Sequence, residues 1–291
     1  MPSLVRDAAP RLRAAPPSQP FAPRYALVQR LASGQWFELF FARAAGQADR
    51  CPPDYVVKRV RESHSDHDLP RAMLQREVLV AGEVAQANLI SVLDAGLNET
   101  TPFIVLPHLP GRTLEQLRQS PTATSTPQAL WYMRQVASAL AALHNAGWLH
   151  GDLQPQNVII SPQGHATLID LGLARRLDSP ECRTDRWITG VPAYLAPEAF
   201  QPNQRLTAAA DVYSLGLLLF HLLQGTKLNA AEPQANPRRA LANLRAIRPD
   251  VSREVAILLT KLLAKEPLRR PTASELVETL SRLEIESLMQ W

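Results

Sequence analysis

His150-Gly151-Asp152-Leu153-Gln154-Pro155-Gln156-Asn157 runs into Val158-Ile159-Ile160, turns at Ser161-Pro162-Gln163-Gly164, and returns as Ala166-Thr167-Leu168-Ile169-Asp170-Leu171-Gly172. Two short apolar runs around a Pro/Gly turn predict a β-hairpin with polar residues at its outer ends. That geometry sets Asn157, just before the first strand, beside Asp170, just after the second. An amide oxygen and a carboxylate side by side are hard donors, suited to a Mg²⁺ that also holds phosphate oxygens. Asp152, five residues before Asn157, lies within reach of whatever such a unit attacks. One carboxylate to orient a hydroxyl and two ligands to hold metal make a phosphoryl-transfer layout. The loop alone would equally suit any α/β domain; the hairpin and Asp-Leu-Gly turn the reading toward chemistry.

At 291 residues the chain can bury a substantial core, as one large domain or two lobes. A hydrophobic content of 46% against 20% charged residues describes an ordinary soluble globule and excludes a disordered or fibrous chain. The net charge of +4 is modest for this length and argues neither for nor against nucleic acid. Cys51 and Cys182 are the only cysteines and form no metal-type cluster, so a reducing compartment, the cytoplasm, is expected. No stretch reaches the roughly 18–20 apolar residues that span a bilayer, so no membrane insertion is expected. The N-terminus carries no apolar signal-peptide core.

Residues 1–23 repeat Pro and Ala around Arg6, Arg11 and Arg13 and predict a disordered tail. Strands are expected over 25–31, 36–42 and 55–60, with Lys58 among Val56, Val57 and Val60 on the last. Such a lysine either snorkels from a sheet edge or points along one face toward a phosphate. A helix over 69–85 shows Leu74, Val78 and Ala81 on one face, with Glu77 close beside it. His64 and His67, in the loop before it, read as solvated. Two more strands are expected over 89–95 and 103–106, and Pro107-His108-Leu109-Pro110-Gly111 breaks regular structure as a linker. Beyond it the pattern turns helical: 127–146, a nearly all-apolar 208–223, 251–265 and 272–288. Asp211, at the start of the apolar helix, either caps it or accepts hydrogen bonds from a buried loop. The long polar stretch 174–191 reads as a functional loop.

These residues, in this order, resemble the eukaryotic-type (Hanks-type) protein kinases from about Tyr25 to about Leu288. His-Gly-Asp152-Leu-Gln-Pro-Gln-Asn157 is similar to the catalytic loop, and Asp170-Leu-Gly to the metal-binding Asp-Phe-Gly. Ala196-Pro197-Glu198, the Asp211-Val-Tyr-Ser-Leu-Gly216 helix, Arg270, and Val56-Val57-Lys58 with Glu77 fall in family register. The resemblance implies an α+β, bilobal protein-kinase fold, with a small β-rich N-lobe carrying one helix and a larger, mainly helical C-lobe. The tail would be 1–23, the N-lobe 24–106, the hinge 107–111 and the C-lobe 112–291. It implies ATP and Mg²⁺ as cofactors. Asp152 would orient the substrate hydroxyl and accept its proton; Asn157 and Asp170 would bind the metal; Lys58, paired with Glu77, would contact the ATP phosphates. Leu31, Gly34 and Leu39 would cover the nucleotide. Leu106 would be the gatekeeper, and the Pro107 carbonyl and Leu109 amide would receive the adenine. The partner implied is a protein substrate of unknown identity, with no nucleic acid; the oligomeric state is unknown.

The chain departs from the family at four places. Of the glycine-rich loop only Gly34 remains, with Ala32 and Phe37 in place of glycines, and the Phe37 ring must rotate away from a triphosphate. Gln154 replaces the lysine two residues after the catalytic aspartate, and Val191 a threonine that bonds to both, which weakens the assignment to serine or threonine substrates. Gly151 replaces an arginine that reads activation-loop phosphate, so phosphorylation of Ser179, Thr184 or Thr189 should not switch the protein through that pocket. Three functions are therefore weighed: an active ATP-dependent protein kinase, with serine or threonine as first choice; a pseudokinase that binds nucleotide or scaffolds; and, ranked last, a small-molecule kinase.

Overall fold

The computed structural model describes residues 19–22, 24–65, 67–120, 124–182, 192–225 and 237–289. The chain divides into two compact units, 1–71 with 93–108 and 72–92 with 109–291.

The first unit is built on a six-stranded antiparallel sheet in the order β1-β2-β3-β4-β6-β5. Its strands are β1 (Gln19–Phe21), β2 (Tyr25–Ser33), β3 (Phe37–Ala44), β4 (Tyr55–Val60), β5 (Asp94–Gly96) and β6 (Phe103–Pro107). Strand alternation sorts side chains between the two faces. Leu27, Ala42, Val57, Phe103 and Val105 form one buried cluster, with Phe21, Tyr25, Phe40 and Tyr55 packed on it. The other face is fixed by register, because Phe37 pairs with Val60, Leu39 with Lys58, Lys58 with Ile104 and Val56 with Leu106. Leu39, Lys58 and Leu106 therefore share one face with Phe37.

The second unit is mainly helical: α1 (Asp68–Glu83, from Ala72 onward), α2 (Leu114–Arg118), α3 (Thr126–Asn145), α4 (Ala209–Gln224), α5 (Pro237–Ile247), α6 (Arg253–Leu262) and α7 (Ala273–Leu288). The helix starts are written in the sequence. Ser125 caps α3 and Thr272 caps α7, each by a reciprocal capping box with the glutamine or glutamate three residues on. Helix α4 is buried along almost its whole length, as its nearly all-apolar sequence demands. It packs so closely on α6 that a Cβ at Gly216 would lie 2.7 Å from Leu262 Cβ. An ion pair of 2.7 Å between Arg134 and Glu284 joins α3 to α7. Among the described residues no helix is long and apolar enough to cross a membrane.

Several expectations need correction. Gln19–Phe21, assigned to the tail, forms a strand paired with β2, because Pro20 and Phe21 can occupy a sheet edge; residues 1–18 lie outside the described part. The strand expected over 89–95 shortens to β5, while Leu89 makes one parallel bridge to Leu168 and Ile90 donates to the Leu168 carbonyl. The buried face of α1 runs through Leu74, Glu77 and Val80, not Val78 and Ala81. His67 is exposed, whereas His64 is half-buried, its ring meeting Trp36 edge-on at 5.0 Å, with His67 at 6.2 Å from the same indole. Thr184, Thr189 and Val191 lie outside the described residues.

Candidate active site

The hairpin forms as its sequence requires. Val158–Ile160 (β9) pairs antiparallel with Ala166–Leu168 (β10), and Arg112–Thr113 (β7) adds to the outer edge of β9. Beyond the last pair, the Ile169 amide donates to the Asn157 carbonyl at 2.8 Å, so Asn157 and Asp170 sit at the same end of the hairpin. Asp170 takes a left-handed backbone, φ +64°, an uncommon state for a side chain other than glycine. Its Oδ1 accepts from the Gly172 amide at 3.4 Å.

Asp152 and Asn157 are one hydrogen-bonded unit. Asn157 Nδ2 donates to the Asp152 carbonyl at 2.8 Å and to Asp152 Oδ2 at 2.9 Å. Both amide protons are used, which leaves Oδ1 as the side-chain atom of Asn157 that could meet a cation. Gln154 Nε2 donates to the same Asp152 Oδ2 at 2.8 Å, so the residue that breaks the family pattern still grips the carboxylate, but brings no charge. Burial pushes the Asp152 pKa above its ordinary value, and the charge of Asp170 adds to the rise; the Gln154 and Asn157 bonds and His150 oppose it.

Asp211 holds this loop from below. It is buried and accepts from the His150 amide at 2.8 Å, the Gly151 amide at 3.0 Å and His144 Nε2 at 2.9 Å. Of its two expected roles it therefore takes the second, that of acceptor for a buried loop. His150 is also buried; the Asp152 amide donates to its Nδ1 at 3.3 Å and its Nε2 faces the Ile169 carbonyl at 3.3 Å. Burial raises the Asp211 pKa, but the bond and charge of His144, the charge of His150 and the Gly151 amide outweigh it and leave the group depressed. A depressed folded value means the stabilisation is complete above about pH 4 and is lost as pH falls through the lowered value. Melting curves taken downward from neutral pH should show Asp211→Asn less stable at neutrality, with a flatter acid slope than the unaltered protein.

Gly151 cannot be replaced freely. Its φ is +77°, and a Cβ there would lie 2.9 Å from the Leu173 carbonyl oxygen. The strained backbone costs about 1–3 kcal/mol before the contact is counted. Gly151→Ala should lower thermal stability by at least that amount, and Gly151→Arg, which would restore the family residue, should fare no better.

In the first unit, Lys58 is only 4% exposed, and its Nζ lies 4.8 Å from the centroid of the Phe37 ring. Leu106 is buried on the same face, while Leu31 is exposed and Gly34 is held by the Phe37 carbonyl at 2.9 Å and by Arg61 Nη1 at 3.1 Å. His108 is fixed by Pro53 and Asp54 backbone oxygens, which braces the chain after Pro107. In the second unit Glu77 is fully buried, and Leu109 is half-buried at the start of the 109–291 segment. Thus Asp152, Asn157 and Asp170 come together in one unit, and Leu39, Lys58 and Leu106 in the other. Sequence reasoning missed the Gln154–Asp152 bond; the signal was the amide-bearing residue at a charged position. It also missed the His144 contact to Asp211, for which a histidine in the last turn of α3 was the only hint.

The donor set fits Mg²⁺. Among the described residues no group of three or more His, Cys, Asp or Glu is arranged to hold a metal. Mg²⁺ needs no such cage, since it takes one or two protein oxygens and completes its shell with phosphate and water.

A family model described as protein kinase domain matches residues 45–280. The chain is 28% identical over 205 residues to a probable serine/threonine-protein kinase PknB of Lactococcus lactis, covering 70% of this chain and 32% of that protein. It is 29% identical over 244 residues to serine/threonine-protein kinase pkn3 of Myxococcus xanthus, covering 76% and 43%. It is 31% identical over 238 residues to serine/threonine-protein kinase PkaB of Streptomyces coelicolor, covering 78% and 57%. The matched part spans between about a third and somewhat over half of these relatives.

Proposed function

Because this chain belongs to the protein kinase family, we propose that it transfers the γ-phosphate of ATP to a hydroxyl of a protein substrate, serine or threonine first. The observation that carries this reading is the hydrogen-bonded pair of Asp152 and Asn157, with Asp170 at the same end of the hairpin, on a loop pinned by Asp211. The substrate hydroxyl oxygen forms the new bond to the γ-phosphorus as the bond to the β,γ-bridging oxygen breaks; ADP leaves and Asp152 takes the hydroxyl proton. Mg²⁺ held by Asn157 and Asp170 would neutralise the phosphate oxygens during transfer. Lys58 would meet the ATP phosphates. Adenine would dock through the Pro107 carbonyl and the Leu109 amide, beside Leu106, with Leu31, Gly34 and Leu39 covering the nucleotide. Gln154 keeps Asp152 oriented without supplying charge, and loss of one such stabiliser costs about 10²–10³ in rate. Cys51 and Cys182, with no disulfide between them, accord with a cytoplasmic setting.

The test is incubation with γ-labelled ATP and Mg²⁺ beside an Asp170→Ala control. Label on the protein or on a generic protein acceptor that vanishes in the control supports the reading, and the labelled residue type decides the hydroxyl. Absence of label with every protein acceptor counts against it.

Phe37 sets the ATP affinity in this scheme. A ring over an ammonium contributes about 0.5–2 kcal/mol, and a phosphate must replace it. Phe37→Leu keeps most of the buried volume and removes the π face. It should lower the KM for ATP about threefold to tenfold, read from initial rates.

A further inference from the structure

Glu83 is the last residue of α1, and its placement is unfavourable for the helix taken alone. A carboxylate in the final turn faces the negative end of the helix dipole, and that turn of α1 contains no basic residue. The charge is answered from outside. Arg176 Nη2 donates to both carboxylate oxygens of Glu83, at 3.0 and 2.7 Å, and Trp148 Nε1 donates to Oε2 at 2.9 Å. The Arg176 guanidinium carbon lies 4.5 Å over the Trp148 ring, and its Nη1 donates to the Ala146 carbonyl at the end of α3 at 3.2 Å. The backbone repeats the link, because Trp148–Leu149 (β8) pairs antiparallel with Arg175–Arg176 (β11), Arg176 opposite Trp148. Three side chains thus join α1 to the strand that follows the Asp170-Leu171-Gly172 turn.

One more contact ties α1 to this turn, and another ties the segment after α1 to β10. Arg76 Nη1 donates to the Gly172 carbonyl at 3.3 Å, and Asn88 Nδ2 donates to the Ala166 carbonyl at 2.8 Å. Glu77 lies one residue beyond Arg76 and faces inward, fully buried. The end of α1 at Glu83 is the point where the helix could swing, and it is tied by charge, hydrogen bond and ring stacking together.

We propose that Glu83, Trp148 and Arg176 form a clamp that positions α1, and with it Glu77, against the Asp170 turn for phosphoryl transfer. The catalytic part rests on the kinase reading; the mechanical part does not. All three are positioning residues. Loss of Arg176 leaves Glu83 with the Trp148 N–H but no cation at the negative end of α1, so the last turn frays. Removing the Glu83 charge as well relieves part of that cost, giving a sign of coupling that simple loss of packing would not produce.

The experiment is amide hydrogen exchange over residues 79–83, with kcat and the KM for ATP, on the full chain. Arg176→Ala should speed exchange there about tenfold and lower kcat about tenfold, with the KM for ATP within twofold. The double variant Glu83→Gln with Arg176→Ala should recover part of both losses, and Arg176→Lys, which keeps the cation over Trp148, should lie between. Unchanged exchange over 79–83 in Arg176→Ala overturns the clamp, as does a double variant worse than either single. Faster exchange with unchanged kcat in an active protein overturns its catalytic role. If the unaltered protein transfers no phosphate, the kinase reading fails by itself, and the exchange measurements still decide the clamp.

Discussion

Asp152→Asn should lower the rate of phosphoryl transfer by about 10²–10⁴-fold while leaving the melting temperature and nucleotide affinity close to those of the unaltered protein. The argument is local. Asp152 Oδ2 accepts from Gln154 Nε2 and Asn157 Nδ2, so one edge of the carboxylate is committed to holding the loop. Asparagine has the same shape, and with its amide oxygen turned to those two donors it preserves both bonds. Its NH₂ group then occupies the other edge, where a substrate hydroxyl would give up its proton, and a donor cannot accept. The loop is fixed from a different direction by Asp211, which holds the His150 and Gly151 amides and does not depend on the Asp152 charge. The check is single-turnover transfer beside a nucleotide-binding titration. Transfer within threefold of the unaltered protein would remove Asp152 from the role of base.

Arg270→Ala should destabilise the second unit by about 3–5 kcal/mol, a large share of the roughly 5–15 kcal/mol that holds a domain folded. Arg270 is fully buried at its side chain and meets Glu198 through a two-pronged pair of 2.6 and 2.8 Å. The same guanidinium donates to the Ala209 and Ala264 carbonyls, each at 2.9 Å, and lies 4.8 Å from the Tyr213 ring centroid. Truncation strands the Glu198 carboxylate and the two carbonyls without water. For a chain of this length the loss corresponds to a fall of about 6–20 °C in Tm. Pairing it with Glu198→Gln removes the stranded charge, so the double variant should be less damaged than the two single losses added together. A strictly additive result would show that the pair contributes through packing alone.

The parts that were legible in the sequence are those where local pattern and chemistry coincide. The hairpin at 158–168 declares itself by two apolar runs and a Pro/Gly turn, and the ends of α3 and α7 by their capping residues. The Asp152, Asn157 and Asp170 constellation follows from that hairpin. What escaped is set by distant partners. Leu89 and Ile90 read as a strand because they are apolar, but their partner lies on β10, and one bridge forms where a ladder was expected. The face of α1 was misplaced because the buried position is held by a charge, Glu77, which periodicity counts as polar. Helix α5 was overlooked behind its prolines and arginines, although Ala240, Leu241 and Leu244 form a short buried stripe. Gln154 announces a missing charge in the sequence; only the structure shows that its amide still holds Asp152.

Residues 72–92 belong with a unit whose other members come later in the chain. Their backbone partners are fixed by name: Asn88 and Ile90 bond to Leu168, and the Asn88 side chain to Ala166. On the ribosome, the sheet of the first unit is complete once residue 108 has emerged, whereas 72–92 must wait for about 75 further residues before β10 exists. At 5–20 residues per second that wait is roughly 4–15 s. For that interval Leu89 and Ile90, both buried in the finished molecule, have their β10 partner still unsynthesised. The nascent chain is most open to chaperone capture and to aggregation in this window, and slowing elongation between codons 92 and 168 would lengthen it.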